Sequence, residues 1–152
     1  MIVYRFIPSH FPVRATEWML AAMKASFGLL LLLREDIFLA PETAPLFTGF
    51  RAIFPQMTWA LIGSLAGCFH LAALYINGTW RRSPHVRGFC SGVGTVFWSL
   101  VVYGLVSGGV WNTGLAIYPW FVVFSVYNLT RAMQDASLSD DRARGGLIGG
   151  SR

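Results

Sequence analysis

The chain has 152 residues, of which 55% are apolar and only 12% are charged, and its mean hydropathy is +0.53. Soluble domains carry about 25% charged residues, so the composition excludes an ordinary water-soluble domain and indicates an integral membrane protein. The formal net charge of +5 does not predict nucleic-acid binding, because the arginines lie beside apolar segments, where they set the orientation of membrane helices.

Residues 1–15 are predicted to form a cytoplasmic or interfacial arm, followed by a first membrane span at about 16–33. Glu17 and Lys24 interrupt this span, but residues 29–33 are all leucine. The arm contains Pro8 and Pro12, and no small-residue cleavage site follows its first apolar run. We therefore expect the first span to remain as a membrane anchor.

Three further spans are predicted at about 57–77, 89–110 and 113–129. No charged residue occurs from 57 to 77 or from 89 to 129, and a helix of about 20 residues crosses a hydrocarbon core of roughly 30 Å. Pro119 is expected to bend the fourth span, because it removes a backbone hydrogen bond. The predicted fold class is an all-α membrane protein, with four transmembrane helices forming an antiparallel bundle over residues 16–130.

The segments outside the spans differ in character. Residues 34–56 contain three prolines and several apolar residues, and the sequence leaves open whether they form a short interfacial helix. Residues 131–152 are rich in Ser, Asp and Gly. We expect them to form a disordered cytoplasmic tail.

All but two of the 12 Lys and Arg residues fall on one side of this arrangement. They lie near the N-terminal arm, in the loop at 78–88 and in the tail, whereas Arg34 and Arg51 lie on the opposite side, beside acidic residues. Cytoplasmic segments of membrane proteins are enriched in Lys and Arg. We therefore expect both termini to be cytoplasmic in a multi-pass protein of the bacterial inner membrane.

Aromatic residues are expected to mark the membrane interfaces. Trp and Tyr prefer the headgroup layer, and the residues predicted to lie there are Trp18, Trp59, Tyr75, Trp80, Trp111 and Tyr127. Trp98 and Trp120 lie deeper in their spans, so we expect them to pack within the bundle.

Polar residues inside membrane spans are candidates for function, because they must find partners in hydrocarbon. Lys24 shares a helix face with Glu17 and Gly28. The favoured interpretation is that its side chain extends to the cytoplasmic headgroups. The alternatives are burial against another helix or a place in a polar path.

His70 lies in the middle of the second span, on one stripe with Gly63 and Gly67. We expect a hydrogen-bonded histidine within the bundle, with a proton relay as the alternative. Haem is excluded because His10 and His85 lie outside the spans, and the two cysteines, Cys68 and Cys90, predict neither a disulfide nor a metal site. No cofactor is expected.

Two groups of residues are predicted to make contacts. Small residues allow helices to approach closely, and the candidates for helix packing are Gly63, Gly67, Gly104 and Gly108. The loop between the second and third spans is predicted to contact anionic lipid headgroups or a cytoplasmic partner through Trp80, Arg81, Arg82, His85 and Arg87.

No sequence motif indicates catalysis. The glycines at 92 and 94 lie inside a span and lack the rest of a dinucleotide-binding pattern, and no nucleophile has a base beside it. We therefore expect no catalytic, cofactor-binding or metal-binding residue, and we do not expect an enzyme.

Three segments carry a resemblance to a known family: Tyr4-Arg5-Phe6-Ile7-Pro8, the stretch around Asn77-Gly78-Thr79-Trp80-Arg81-Arg82-Ser83-Pro84-His85, and Ala116-Ile117-Tyr118-Pro119-Trp120. With these segments the chain resembles small four-span membrane proteins encoded by tailed phages and prophages. The resemblance implies a phage-type protein of the host inner membrane, and it assigns no activity and no residue roles.

Three functions remain open on the sequence. The first is a membrane-interaction or superinfection-exclusion protein that acts through helix packing and partner contacts. The second is a holin-like oligomer that permeabilises the inner membrane, and the third is a small ion or solute carrier that uses Lys24 and His70. The expected partners are the lipid bilayer and a second copy of the chain or another membrane protein.

Overall fold

The computed structural model describes residues 3–34, 36–79 and 84–149, and within 3–13, 77–79 and 142–149 it describes the backbone alone. The regular secondary structure of the described residues is entirely helical, without strands. The helices, in chain order, are α1 (Val3–Leu33), α2 (Thr48–Ile53), α3 (Gln56–Thr79), α4 (Pro84–Ser107) and α5 (Gly114–Gly149).

Three helical segments of the described chain are long and apolar enough to cross a membrane: Arg14–Leu33, Gln56–Ile76 and Pro84–Ser107. They overlap the first three predicted spans and indicate a membrane protein. The segment predicted as the fourth span is helical but does not meet the same criterion. Its apolar residues are interrupted by Tyr118, Pro119 and Asn128, which lower its mean hydropathy.

The N-terminal arm is part of α1. The helix begins at Val3 and is broken at Arg14, whose φ of −125° and ψ of 19° are not helical. Pro8 and Pro12 precede this break, and a proline inside a helix removes a backbone donor and crowds the preceding turn. The break separates the arm from the membrane-length part of α1.

The bundle consists of two helix pairs, α1 with α3 and α4 with α5, with smaller contacts between the pairs. The first pair approaches closely through small residues. A Cβ atom built on Gly67 would overlap the backbone of Ala25, and one built on Gly63 would lie 3.0 Å from the Cα of Gly28. Glycine is required here because the neighbouring helix backbone occupies the space of a side chain.

Residues 36–54 form turns and the short helix α2, which caps one end of the bundle. Phe50 of α2 packs on Gly104, where a Cβ would lie 3.1 Å from its ring, and Gly49 packs against Gly108. The indole Nε1 of Trp59 donates a hydrogen bond of 3.1 Å to the carbonyl oxygen of Phe50. Trp59, which we expect near the membrane interface, is only 1% exposed, because α2 and its neighbours cover it.

Gln56 joins this cap to the end of α1. Its Nε2 donates to the carbonyl oxygen of Leu31 at 2.9 Å, and its Oε1 accepts a 2.8 Å hydrogen bond from the backbone N–H of Phe38. The last carbonyls of a helix lack partners within the helix, so a side chain that binds them stabilises its end. We call this end of the bundle the aromatic end, defined by Phe38, Phe50 and Trp59.

An aromatic layer crosses the bundle next to this end. Phe27 of α1 contacts Phe97 of α4 with ring centroids 5.8 Å apart, and Trp98 contacts Phe121 of α5 at 4.9 Å. Trp98 is buried, as expected. Trp120 does not pack within the bundle as predicted: it is 60% exposed, because Tyr118 and Phe121 are the α5 side chains that meet Trp98.

The structure differs from the predicted disordered tail at 131–152. Helix α5 continues without interruption to Gly149, and residues 150–152 lie outside the described chain. Ala132 and Ala136 are buried one turn apart, on the stripe that already carries Ser125 and Asn128. This small-residue face packs toward α4, where a Cβ on Gly88 would lie 3.8 Å from Ala132.

Candidate functional site: a polar core inside the bundle

Polar side chains from four helices are buried inside the bundle, most of them on the side of the aromatic layer away from the aromatic end. Residues three, four or seven apart share a helix face, and the buried stripes of α1, α4 and α5 follow this spacing. The buried polar residues are Glu17, Lys24, Ser64, His70, Arg87, Ser91, Ser125 and Asn128. We call this group the polar core.

Arg87 forms the centre of the charged contacts. Its Nε donates to Oε2 of Glu17 at 3.0 Å, its Nη2 donates to Oε1 of Glu17, and its Nη1 donates to Oδ2 of Asp135 at 2.9 Å. The side chains of Arg87 and Glu17 are 4% and 1% exposed, whereas that of Asp135 is 48% exposed. One guanidinium on α4 therefore binds carboxylates of both α1 and α5.

This position of Arg87 corrects the prediction that it lies on a loop surface. Helix α4 begins at Pro84, so Arg87 is in the first turn of the helix and turned inward. Proline is favoured at the first position of a helix, where its missing N–H has no intrahelical partner. The spacing of Arg87, Ser91 and Trp98 on one face of α4 is the sequence signal that could have identified the inward orientation.

Lys24 lies inside the bundle, with 1% of its surface exposed. The favoured interpretation of the sequence, that its side chain extends to the cytoplasmic headgroups, is therefore wrong. Its Nζ lies beside α4, where a Cβ on Gly94 would be 3.5 Å from Nζ and 3.6 Å from the Oγ of Ser125. Among the side chains that the structure describes, no carboxylate forms an ion pair with Lys24. The oxygens of Glu17, two turns away on the same face, are bound by Arg87.

His70 is buried on α3, but the expected hydrogen bond is not found. Neither ring nitrogen has a hydrogen-bond partner within the described chain, and the same is true of Ser64 Oγ, Ser91 Oγ and Trp98 Nε1. Buried polar atoms are nearly always partnered by protein or water. The polar core therefore contains several groups whose partners are not side chains or backbone of the described residues.

Thr16 and Asn128 add a neutral contact between α1 and α5. The Oγ1 of Thr16 donates to Oδ1 of Asn128 at 2.9 Å. Sequence reasoning did not single out Asn128 or Ser125. Each is one uncharged polar residue in an otherwise apolar stretch, and the residues alone do not show which face of the helix is inside.

The predicted loop cluster is divided by the structure. Trp80, Arg81 and Arg82 lie outside the described residues. His85 is exposed, and its Nε2 lies 3.4 Å from Oδ1 of Asp140 on α5. This contact and the ion pair of Arg87 with Asp135 place α4 and the continuation of α5 side by side. We call this end of the bundle, which also contains Glu17, the ion-pair end.

In this arrangement the ion pairs hold α1, α4 and α5 together, and the unpartnered polar side chains can donate hydrogen bonds. No group of three His, Cys, Asp or Glu residues within the described chain is placed to hold a metal ion. Comparison of the chain with protein-family models, with curated proteins and with solved structures finds no match. The resemblance to phage-encoded membrane proteins therefore stays a prediction.

Proposed function

We propose that the chain is a phage- or prophage-type protein of the bacterial inner membrane that acts by binding a partner at its cytoplasmic face. It spans the membrane four times, with both termini in the cytoplasm, and it neither catalyses a reaction nor permeabilises the membrane. The observation that carries this proposal is the double ion pair of Arg87 with Glu17 and Asp135. This pairing fixes the continuation of α5 against the rest of the bundle.

The fourth span is supported by the pairing of α5 with α4. The two helices run side by side in opposite directions from the contact of Trp98 with Phe121 to the contact of Arg87 with Asp135. If α4 crosses the membrane, the part of α5 beside it crosses as well. The clustering of Lys and Arg at the ion-pair end supports a cytoplasmic location for that end.

A fixed helix outside the membrane is suited to binding. Beyond Asn128, α5 turns Ala132 and Ala136 inward, whereas Met133 and Leu138 are exposed. The buried ion pair at the base of this segment adds little net stability, because the cost of desolvating the charges offsets much of their attraction. The ion pair does, however, determine which face of α5 points outward. A binding surface requires the same side chains to face outward at all times.

The holin-like alternative fits the fold less well. A permeabilising oligomer needs polar faces that line an aqueous lumen between subunits, but Glu17, Lys24 and Arg87 are buried within one chain. The exposed faces of α1, α3 and α4 carry large apolar residues instead, including Leu30, Leu65 and Val106. Such faces suit contact with lipid or with a partner helix.

A carrier also fits less well, because the polar core does not continue to the other end of the bundle. Phe27 and Phe97 come after the buried polar residues of α1 and α4 in the chain, and Phe121 comes before those of α5, which runs the opposite way to α4. Beyond it lies the aromatic end, where Phe50 and Trp59 are buried. Among the described residues, the buried polar side chains of α1, α4 and α5 therefore lie on one side of the layer.

Inducible expression in a bacterial host, followed by membrane potential and dye entry, tests the proposal. We expect an intact potential and no dye entry at high accumulation of the protein in the membrane. A delayed, abrupt collapse of the potential would favour the holin-like alternative. A matched culture expressing Arg51→Gln, a change at an exposed arginine, controls for the burden of membrane-protein expression.

A further inference from the structure

The polar core is rich in hydrogen-bond donors that have no acceptor. Lys24 carries three donors and no acceptor, and the hydroxyls of Ser64 and Ser91 and the imidazole of His70 can each donate. The atoms of Ser64, Ser91 and His70 have no hydrogen-bond partner within the described chain. Glu17, the nearest buried carboxylate on α1, is occupied by Arg87.

Three helices meet around the ammonium group of Lys24. Gly94 of α4 leaves room beside it, since a Cβ at that position would contact both Lys24 Nζ and Ser125 Oγ at 3.5 and 3.6 Å. Ser91 lies one turn before Gly94 on the same buried face of α4. The ammonium of α1 and a hydroxyl of α5 thus border one position, and the unpartnered hydroxyl of Ser91 lies about one helical turn away along α4.

An ammonium group in a membrane interior is stable only with a counter-charge or in its neutral form. Removing a charged group from water costs several kcal/mol, and Lys24 has no carboxylate partner among the described side chains. An anion at this position would provide the counter-charge and accept from the unpartnered hydroxyls. A neutral amine has a single lone pair and could accept from only one of those hydroxyls.

We propose that the polar core binds one small, singly charged anion, of the size of chloride, between Lys24 of α1, Gly94 and Ser91 of α4 and Ser125 of α5. Lys24 supplies the charge, and the two serines donate hydrogen bonds. This site goes beyond the proposed function, because it lies inside the bundle and does not depend on a partner at the cytoplasmic face.

The test uses the purified full-length protein in an uncharged detergent. Sodium gluconate, whose anion is too large for the site, is replaced stepwise by sodium chloride at constant ionic strength and pH, and the melting temperature is followed. We expect a saturable rise in melting temperature with chloride. We also expect it to disappear in Lys24→Met and to persist in Arg51→Gln, which removes an exposed cation instead.

A second variant keeps the charge and fills the space. A Cβ at Gly94 meets its neighbours at ordinary van der Waals distances, so Gly94→Ala is expected to fold and to raise the chloride concentration at half-saturation on the order of tenfold. A melting temperature that does not respond to chloride in the unmodified protein would overturn the proposal, as would an equal response in Lys24→Met. Stabilisation by anionic lipid without any response to chloride would also overturn it.

Discussion

Arg87 of α4 and Glu17 of α1 form a two-point ion pair inside the bundle, with the Nε and Nη2 of the guanidinium each bound to one carboxylate oxygen. The pair joins helices that otherwise make few contacts, since α1 packs mainly on α3 and α4 mainly on α5. Its role is therefore to hold the two helix pairs in one relative position.

Breaking this pair from one side should be more harmful than removing it entirely. Arg87→Met leaves the carboxylate of Glu17 buried without a partner, and we expect a loss of about 3–5 kcal/mol in unfolding free energy. The double variant Arg87→Met with Glu17→Gln should recover part of that loss, because no buried charge remains unpaired. Thermal unfolding in detergent measures both.

The exposed pair of Arg34 with Asp36 provides the control. Its side chains are 3.6 Å apart and mostly in solvent, so Arg34→Gln should change the unfolding free energy by less than about 1 kcal/mol. Equal effects of Arg34→Gln and Arg87→Met would show that the buried pair does not hold the bundle together.

Close packing of α1 on α3 depends on Gly67. A methyl group there would overlap Ala25, so Gly67→Ala should lower the unfolding free energy by about 1–3 kcal/mol. Gly92→Ala is the matched control, because its Cβ would lie 3.9 Å from Leu129, an ordinary contact. We expect Gly92→Ala to melt at the same temperature as the parent protein or slightly higher, and similar losses for both variants would contradict this packing.

The number of spans can be tested with reporter fusions at both ends of the chain. A reporter active only in the cytoplasm should be active at the N-terminus and at the C-terminus, because four crossings return the chain to its starting side. A reporter active only in the periplasm should be inactive at both. Periplasmic activity at the C-terminus would contradict a membrane crossing by α5.

Asp135 should control the order of α5 beyond the bundle. Asp135→Asn weakens the contact with Arg87 at the base of this segment, so backbone amides in 131–149 should exchange with deuterium faster than in the parent protein. Asp141→Asn, a change at an exposed aspartate farther along the helix, serves as the control. Equal exchange in the two variants would show that Asp135 does not order the segment.

The sequence predicts the membrane-length helices well where charge is absent. Residues 57–77 and 89–110 correspond closely to α3 and to most of α4, because a long uncharged segment leaves few alternatives to a helix in a membrane. The helical continuation of α5 was missed because serine, aspartate and glycine usually indicate disorder. In the structure this segment is held by Asp135 and by two alanines that pack inward.

The inward positions of Arg87 and Lys24 could not be predicted with the same certainty. Near a span end, an arginine on a loop and an arginine in the first turn of a helix differ in sequence only by their helical spacing to later residues, here Ser91 and Trp98. In the structure the difference is a partner 70 residues away, Glu17. Lys24 is long enough to reach the headgroups from its depth, and the sequence does not show that its Nζ lies beside Gly94 of α4.

Site-specific photo-crosslinking in living bacteria tests the central claim most directly. A crosslinking residue at position 138, exposed on the continuation of α5, is compared with one at position 123, exposed on the apolar part of the same helix. We predict a discrete protein adduct from position 138 that is absent from position 123 and is lost in Asp135→Asn at equal abundance. Identical adducts from both positions would contradict a partner-binding surface fixed by Arg87. The absence of any adduct from position 138, with the protein present in the membrane, would contradict it as well.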